Sequence, residues 1–166
     1  MAQVTLKGNV VNTNGNLPAV GSKAPDFVLT KVDLSALSSL ELEGKKVILN
    51  IFPSLDTGTC AASVRRFNAD AAHLNNTVVL CISQDLPFAH KRFCVSEGIE
   101  NVVNLSTFRN HEFLESYGVQ IIDGPMTGLC ARAVAVLNEE GIVIHTELVS
   151  EITQEPDYRA ALAVLT

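Results

Sequence analysis

Cys60 lies where the sequence changes from a strand pattern to a helix pattern. Residues 45–52 form a short apolar run rich in β-branched side chains, which predicts a strand buried on both faces. Pro53 then ends the strand, because it has no N–H for a sheet. From Cys60 onward apolar residues recur at spacings of three and four, which predicts a helix with the sulfur in its first turn on the inward side. A thiol there meets unpaired N–H groups and the positive end of the helix, both of which favour the reactive thiolate.

Three other side chains could act on that sulfur. Arg132 interrupts an apolar strand predicted over residues 129–137, and a permanent charge is costly to bury without an anionic or polar partner. A thiolate is one candidate partner; an ordinary carboxylate ion pair or a solvent-facing arginine fits the pattern equally well. Thr57 is spaced to cap the helix, and its hydroxyl could also reach the sulfur or its ligand. Pro53 either keeps the loop and pocket tight or only terminates the strand.

The remaining cysteines have different surroundings in the sequence. Cys81 lies within an apolar strand and is expected to be a buried small hydrophobe. Cys94 follows a polar helical stretch, so we expect it to be partly accessible and the better partner for Cys60. Cys130 is two residues from Arg132, which predicts the same face of the strand.

Metal and cofactor motifs are missing from the sequence. No two cysteines are spaced as C-x-x-C, and Ser63 stands where the second thiol of a thioredoxin-type dithiol would be required. The four histidines show no ligand spacing, and there is no glycine-rich phosphate loop. We therefore expect chemistry carried by thiols alone, without a cofactor or metal.

Length and charge limit the class of protein. The 166 residues predict one domain over residues 1–166, with one core and no linker. A net charge of −6 argues against a nucleic-acid surface. No apolar run is long enough to span a bilayer, and the first residues lack a signal-peptide pattern. These features predict a soluble, cytoplasmic protein, with a periplasmic location left open.

Alternation of strand and helix patterns predicts an α/β fold. Helix ends are expected at Gly98 and Gly118, and helix caps at Asp85 and Asn110. The order implies a central mixed sheet covered by helices on both faces, preceded by a small N-terminal hairpin. Predicted strands cover 4–6, 10–11, 27–29, 45–52, 77–83, 102–105, 129–137 and 142–149, and predicted helices begin at Cys60, cover 86–97 and 111–117, and follow Pro156.

These residues resemble the peroxiredoxins. The pattern Pro53-x-x-x-Thr57-x-x-Cys60 matches their active-site motif, and Arg132 matches their distant arginine. Longer runs look like the bacterial thiol peroxidase subfamily, so the resemblance covers essentially the whole chain. Those runs are NIFPSLDTG at 50–58, VVLCIS at 78–83, DLPFA at 85–89, RFC at 92–94 and LSTFRN at 105–110.

The resemblance implies a thioredoxin-like fold with an N-terminal hairpin extension, a homodimer, and reduction of hydrogen peroxide and organic hydroperoxides with electrons from thioredoxin. Carried onto matching positions, it makes Cys60 the peroxidatic cysteine and Cys94 the resolving cysteine. Thr57, Arg132 and Pro53 would form the pocket. Cys130 departs from the subfamily pattern, which has a small residue without a thiol there.

The implied cycle has a mechanical requirement. A disulfide needs Cα atoms about 4.4 to 6.8 Å apart. Two cysteines on separate helix turns are not expected to lie that close in the reduced fold. We therefore predict that the Cys60 turn and the Cys94 segment both unwind during the cycle. Two other classes remain open from sequence: a thioredoxin-like protein disulfide oxidoreductase, and a catalytically silent binding module that would tolerate Cys60→Ser.

Overall fold

The computed structural model describes residues 1–165, and a mixed sheet runs through the middle of them. This sheet has seven strands within that range, in the order β4-β3-β7-β6-β5-β8-β9, and a separate hairpin of β1 and β2 precedes it. The strands are β1 (Gln3–Leu6), β2 (Asn9–Asn12), β3 (Val28–Lys31), β4 (Ala36–Ser38), β5 (Lys46–Ile51), β6 (Thr77–Ser83), β7 (Val103–Ser106), β8 (Ala133–Leu137) and β9 (Val143–Leu148). The helices are α1 (Gly58–Ala71), α2 (Pro87–Glu97), α3 (Glu112–Tyr117) and α4 (Tyr158–Ala163), with a short 3₁₀ turn at Ser39–Leu42.

The centre of the sheet is a parallel strand–helix–strand unit. β5 pairs in parallel with β6 through α1, with Lys46 opposite Thr77 and Ile51 opposite Ile82, while β8 pairs antiparallel on the other side of β5. Successive residues of β5 are buried on both faces, as an apolar strand between two layers must be. The predicted α/β fold, the central unit and the N-terminal hairpin are confirmed.

Helices cover the two faces unequally. On one face α1, α2 and α4 pack around Ile48, Val79 and Val134. On the other face α3 packs with the segment around Phe27 against Leu49 and Leu80. No helix in residues 1–165 is long and apolar enough to cross a membrane.

The predicted strand over residues 129–137 is wrong in its first half. Ala131 N donates to Val119 O at 2.7 Å, and Ile121 N donates to Leu129 O at 2.9 Å, so this stretch pairs with residues 119–121. The chain joins the main sheet only at Ala133. Arg132 therefore lies just before a sheet strand rather than in its middle.

Both predicted side-chain caps are wrong as well. The N-cap of α2 is Leu86 and that of α3 is His111, and neither residue makes a side-chain cap hydrogen bond. Asp85 accepts hydrogen bonds from the loop before α1, and Asn110 accepts one from Thr30, so tertiary partners replace the local ones. The glycine ends at 98 and 118 do adopt the left-handed conformation.

Candidate active site

Cys60 is the third residue of α1 and is completely buried. Pro53 is buried at the start of the loop that leads into α1. Thr57 is the N-cap: its Oγ1 accepts a hydrogen bond from Cys60 N at 3.3 Å and donates one to Ser54 O at 3.2 Å. The Thr57 hydroxyl is thus a helix cap whose proton is held by the loop, and the sulfur projects inward from a fixed first turn.

Arg132 reaches that sulfur from the neighbouring strand, because β8 begins beside the end of β5, with Ala133 opposite Ile51. Its side chain is almost fully buried, Nη2 donates to Cys60 Sγ at 3.2 Å, and Nε donates to Ile152 O at 2.8 Å. Nη1 is buried and has no hydrogen-bond partner within residues 1–165. One guanidinium edge is therefore anchored while a donor beside the sulfur is free to bind an oxygen.

The loop that anchors Arg132 is itself tied to the N-terminal hairpin. The Glu151 carboxylate accepts hydrogen bonds from Gly8 N at 2.9 Å, Lys7 N at 3.2 Å and Thr153 N at 3.0 Å. The backbone N–H of Thr153, followed by that of Gly8, lowers the pKa of Glu151 to about 2. The carboxylate thus stays ionised and fixes the residues on either side of the carbonyl at Ile152.

Cys94 has a much looser position, in the last turns of α2. Its side chain is half-buried, and burial raises the pKa of its thiol. The carbonyl of Cys94 accepts hydrogen bonds from the N–H groups of Gly98 and Ile99, which close the end of the helix. All four cysteines are free thiols.

Cys130 and Cys81 have inert surroundings. The pKa of each thiol is raised to about 12, mainly by burial; at Cys130 the charges of Asp85 and Cys60 make smaller contributions in the same direction. Cys130 packs in the core beneath α3, whereas Cys60 packs beneath α1. The expectation that Cys130 shares the face of Arg132 is wrong, because the strand is not continuous there.

Ser63 occupies the position of a second thiol but serves the helix. Its hydroxyl donates to Cys60 O at 2.8 Å and accepts from Asn50 Nδ2 at 3.2 Å, and the side chain is fully buried. Within the described residues no group of three His, Cys, Asp or Glu side chains could hold a metal ion. The chemistry available at this site is that of a thiol, a guanidinium and a hydroxyl.

Three groups that support the site are not predicted from the sequence in that role: the carbonyl of Ile152, the carboxylate of Glu151 and the carboxylate of Asp85, which was expected only as a helix cap. Asp85 accepts from Leu55 N and from the Ser54 hydroxyl, both at 2.8 Å, and so holds the loop before α1. Its place two residues beyond the end of an apolar strand was the available signal, because the carboxyl ends of parallel strands meet there. A backbone carbonyl leaves no signal in the sequence.

Comparisons with known proteins agree in both sequence and structure. Residues 19–162 match the Redoxin family model. The chain is 59% identical over 165 residues to the thiol peroxidases of Mycobacterium tuberculosis and Mycobacterium bovis, covering 99% of this chain and 99% of each relative. A crystal structure of a peroxiredoxin-like protein from Aquifex aeolicus is 38% identical, with a TM-score of 0.94 over 99% of this chain and 96% of that one. A thiol peroxidase from Chromobacterium violaceum shares the fold at 20% identity, with a TM-score of 0.91 over 99% of this chain and 96% of that one.

Proposed function

The chain belongs to the Redoxin family, and we propose that it is a thiol peroxidase that reduces hydrogen peroxide and organic hydroperoxides. The observation that carries the proposal is the contact of 3.2 Å between Arg132 Nη2 and the buried Cys60 Sγ at a helix N-terminus. A peroxidase that works through a thiol needs that thiol as thiolate, with fixed cationic donors beside it. Relatives named thiol peroxidase at 59% identity support the same activity.

In the first step Cys60 is the peroxidatic residue. Its thiolate attacks the terminal oxygen of the peroxide, the S–O bond forms, and the O–O bond breaks. The leaving oxygen takes the bonding electron pair, receives from the solvent the proton that the Cys60 thiol released when it ionised, and departs as water or alcohol. Arg132, with its free Nη1 donor, stabilises the charge that moves onto that oxygen, while Thr57 and Pro53 keep the loop in position.

In the second step Cys94 is the resolving residue. Its thiolate attacks the sulfur of the Cys60 sulfenic acid, a disulfide forms, and the oxygen leaves as hydroxide, which is protonated to water. Cys60 and Cys94 lie on two separate folded helices, so we propose that the first turn of α1 and the end of α2 unwind for this step. Unchanged amide exchange around both cysteines after oxidation would contradict this motion.

Thioredoxin is the proposed reductant, and it would reopen the disulfide by thiol exchange. The half-buried position of Cys94 supports this assignment, since a partner thiol must reach one of the sulfurs. A homodimer is proposed from the family resemblance. A cytoplasmic location is proposed because four free thiols suit a reducing compartment.

Peptide mass spectrometry without reduction tests the cycle directly after one equivalent of hydrogen peroxide. We expect a Cys60–Cys94 disulfide, no disulfide in Cys60→Ser, and sulfenic or sulfinic acid at Cys60 in Cys94→Ser. The matched controls Cys81→Ser and Cys130→Ser should keep the Cys60–Cys94 bond. A Cys60–Cys130 bond would move the resolving role, and an unreactive Cys60 would refute the peroxidase.

A protein disulfide oxidoreductase is disfavoured by Ser63, which is buried and hydrogen-bonded where a second thiol would be needed. Insulin reduction separates the two activities. We expect no acceleration of insulin precipitation under conditions in which hydroperoxide is consumed at full rate.

A further inference from the structure

A chain of buried polar side chains crosses the core next to the two proposed redox helices. His90 of α2 is fully buried, and its ring tilts against Phe52 with centroids 6.4 Å apart. Its Nε2 is 3.0 Å from the Ser83 hydroxyl, and its Nδ1 is 3.0 Å from Asn104 Nδ2. Four residues further along α2 is Cys94.

The orientation of the Asn104 amide sets the direction of the donors in this chain. Its Nδ2 faces His90 and donates, so His90 Nδ1 accepts and the ring proton of a neutral imidazole is on Nε2, while Asn104 Oδ1 is buried without a partner within residues 1–165. His90 Nε2–H then donates to Ser83 Oγ, which leaves the single hydroxyl proton of Ser83 for Asp85 Oδ2. Every link is satisfied when His90 is neutral, and protonation of Nδ1 would set two donors against each other.

The other end of the chain is the loop that carries Cys60 into its helix. Asp85 accepts from Ser83 and, with the same carboxylate, from Leu55 N and the Ser54 hydroxyl at 2.8 Å each. One hydrogen-bond chain therefore extends from β7 through α2 and β6 to residues 54–55. α2 is attached to the core at His90 only a turn before Cys94.

We propose that Asp85, Ser83 and His90 form a latch that positions the Cys60 loop against the helix of Cys94 and that opens when Cys94 moves to resolve the sulfenic acid. This inference rests on the proposed peroxidase cycle. The three residues are positioning residues, because their side-chain hydrogen bonds go to one another, to Asn104 and to the loop at 54–55 rather than to the sulfur of Cys60 or Cys94. Opening the latch withdraws His90 from Ser83 and frees Asp85 to hold the loop alone.

Opening of the latch is also coupled to the uptake of a proton by His90. Burial, the larger effect, lowers the pKa of His90 to about 4, while the charge of Asp85 opposes this shift. Three uncharged side chains face the His90 ring: Ser83 of β6, Asn104 of β7 and Phe52, which follows β5. The charge that acts on the ring is that of Asp85, at the far side of Ser83. A histidine exposed to water has a pKa of about 6.5. The closed latch is therefore fully stable above about pH 6.5, and it weakens as the pH falls toward 4, because the open form takes up a proton.

His90→Gln and His90→Leu test the latch together. Glutamine can accept from Asn104 and donate to Ser83 but cannot titrate, whereas leucine removes both hydrogen bonds. The same two substitutions at the exposed His73 are the matched controls. Rapid-mixing measurements follow the reaction of Cys60 with peroxide and the later formation of the Cys60–Cys94 disulfide, from pH 7.5 to pH 5.5.

At pH 7.5 we expect His90→Leu to form the disulfide about tenfold faster than the wild type, because a buried hydrogen-bond chain no longer holds α2. His90→Gln should match the wild type at that pH. Between pH 7.5 and 5.5 the ratio of wild-type to His90→Gln disulfide rates should rise about tenfold, since only the wild type gains a proton on opening. Dividing by the variant rate cancels the ionisation of Cys94 itself.

A constant ratio across this pH range, or a wild-type disulfide rate in a folded His90→Leu, would overturn the latch. If His90→Leu does not fold by circular dichroism, the pH series of wild type against His90→Gln decides alone. Failure of the underlying peroxidase looks different, since wild-type Cys60 would then not react with peroxide at any pH.

Discussion

The surroundings of Cys60 and Cys94 differ in almost every physical respect. Cys60 has no exposed surface, a side-chain cap on its own N–H, and a guanidinium nitrogen 3.2 Å from its sulfur. Cys94 is half-buried on a helix that begins without a side-chain cap and leaves Phe88 65% and Val95 77% exposed. The first region is held by contacts from distant parts of the chain on every side, whereas Cys94 lies on a partly exposed helix that the buried His90 and Phe93 attach to the core.

This difference matches two tasks. A group that attacks peroxide must be held in one geometry, because the benefit of orientation is lost with small displacements. A group that must travel to another helix has to leave its site at a low free-energy cost, and elements with few buried contacts open most easily. The two cysteines of the proposed cycle thus lie in regions with opposite stability requirements.

Removing the charge beside Cys60 should have the largest effect. We expect Arg132→Met to lower the second-order rate with peroxide by about 10² to 10³-fold, as when one donor to a developing anion is lost. Arg132→Lys keeps a charge but cannot donate in two directions from a planar fork, so it should also lose most of the rate. Stopped-flow measurement with hydrogen peroxide checks both, and a Met variant with wild-type rates would show that Arg132 only fills space.

The cap of α1 should matter less, since Thr57 acts on the sulfur only through the backbone. Thr57→Val removes a cap worth about 1 kcal/mol, and we expect a loss of about fivefold to tenfold in the peroxide rate together with lower thermal stability. Thr57→Ser retains the hydroxyl and should recover most of both. A loss in the Ser variant together with wild-type values in the Val variant would mean that the methyl group, rather than the cap, matters.

The sequence predicts the rigid region better than the details that support it. Cys60, its helix and the parallel strands follow from an uninterrupted apolar pattern, because local periodicity and burial agree there. Asp85 was predicted to cap α2, yet it bonds Leu55 and Ser54, since a carboxylate has no sequence mark for its tertiary partners. Arg132 was expected within a strand, but pairing of residues 129–131 with 119–121 depends on a segment that shows no strand pattern.

The contact between Glu151 and the turn of the N-terminal hairpin is a distant support of the Cys60 region, and its contribution to stability can be measured. Glu151 has its pKa lowered to about 2, so it should stabilise the fold above its ordinary pKa of about 4.5, and this contribution should disappear as the pH falls toward 2. Glu151→Gln should therefore lower the melting temperature at pH 6 but have little effect at pH 2. Thermal unfolding at both values checks this, with Glu140→Gln, which is exposed, as the control.

The smallest effect should come from the surface contacts between the two helices. Arg65 of α1 makes a forked ion pair with Glu97 of α2, at 3.0 and 3.1 Å, next to the segment that we propose unwinds. Because 49% of the Arg65 side chain and 34% of the Glu97 side chain are exposed, solvent screens the pair and it should contribute little to closure. Arg65→Ala should speed disulfide formation by less than about twofold at low salt and not at all in 0.5 M salt. A salt-insensitive increase of tenfold would move the restraint on Cys94 from the buried chain at His90 to this surface pair.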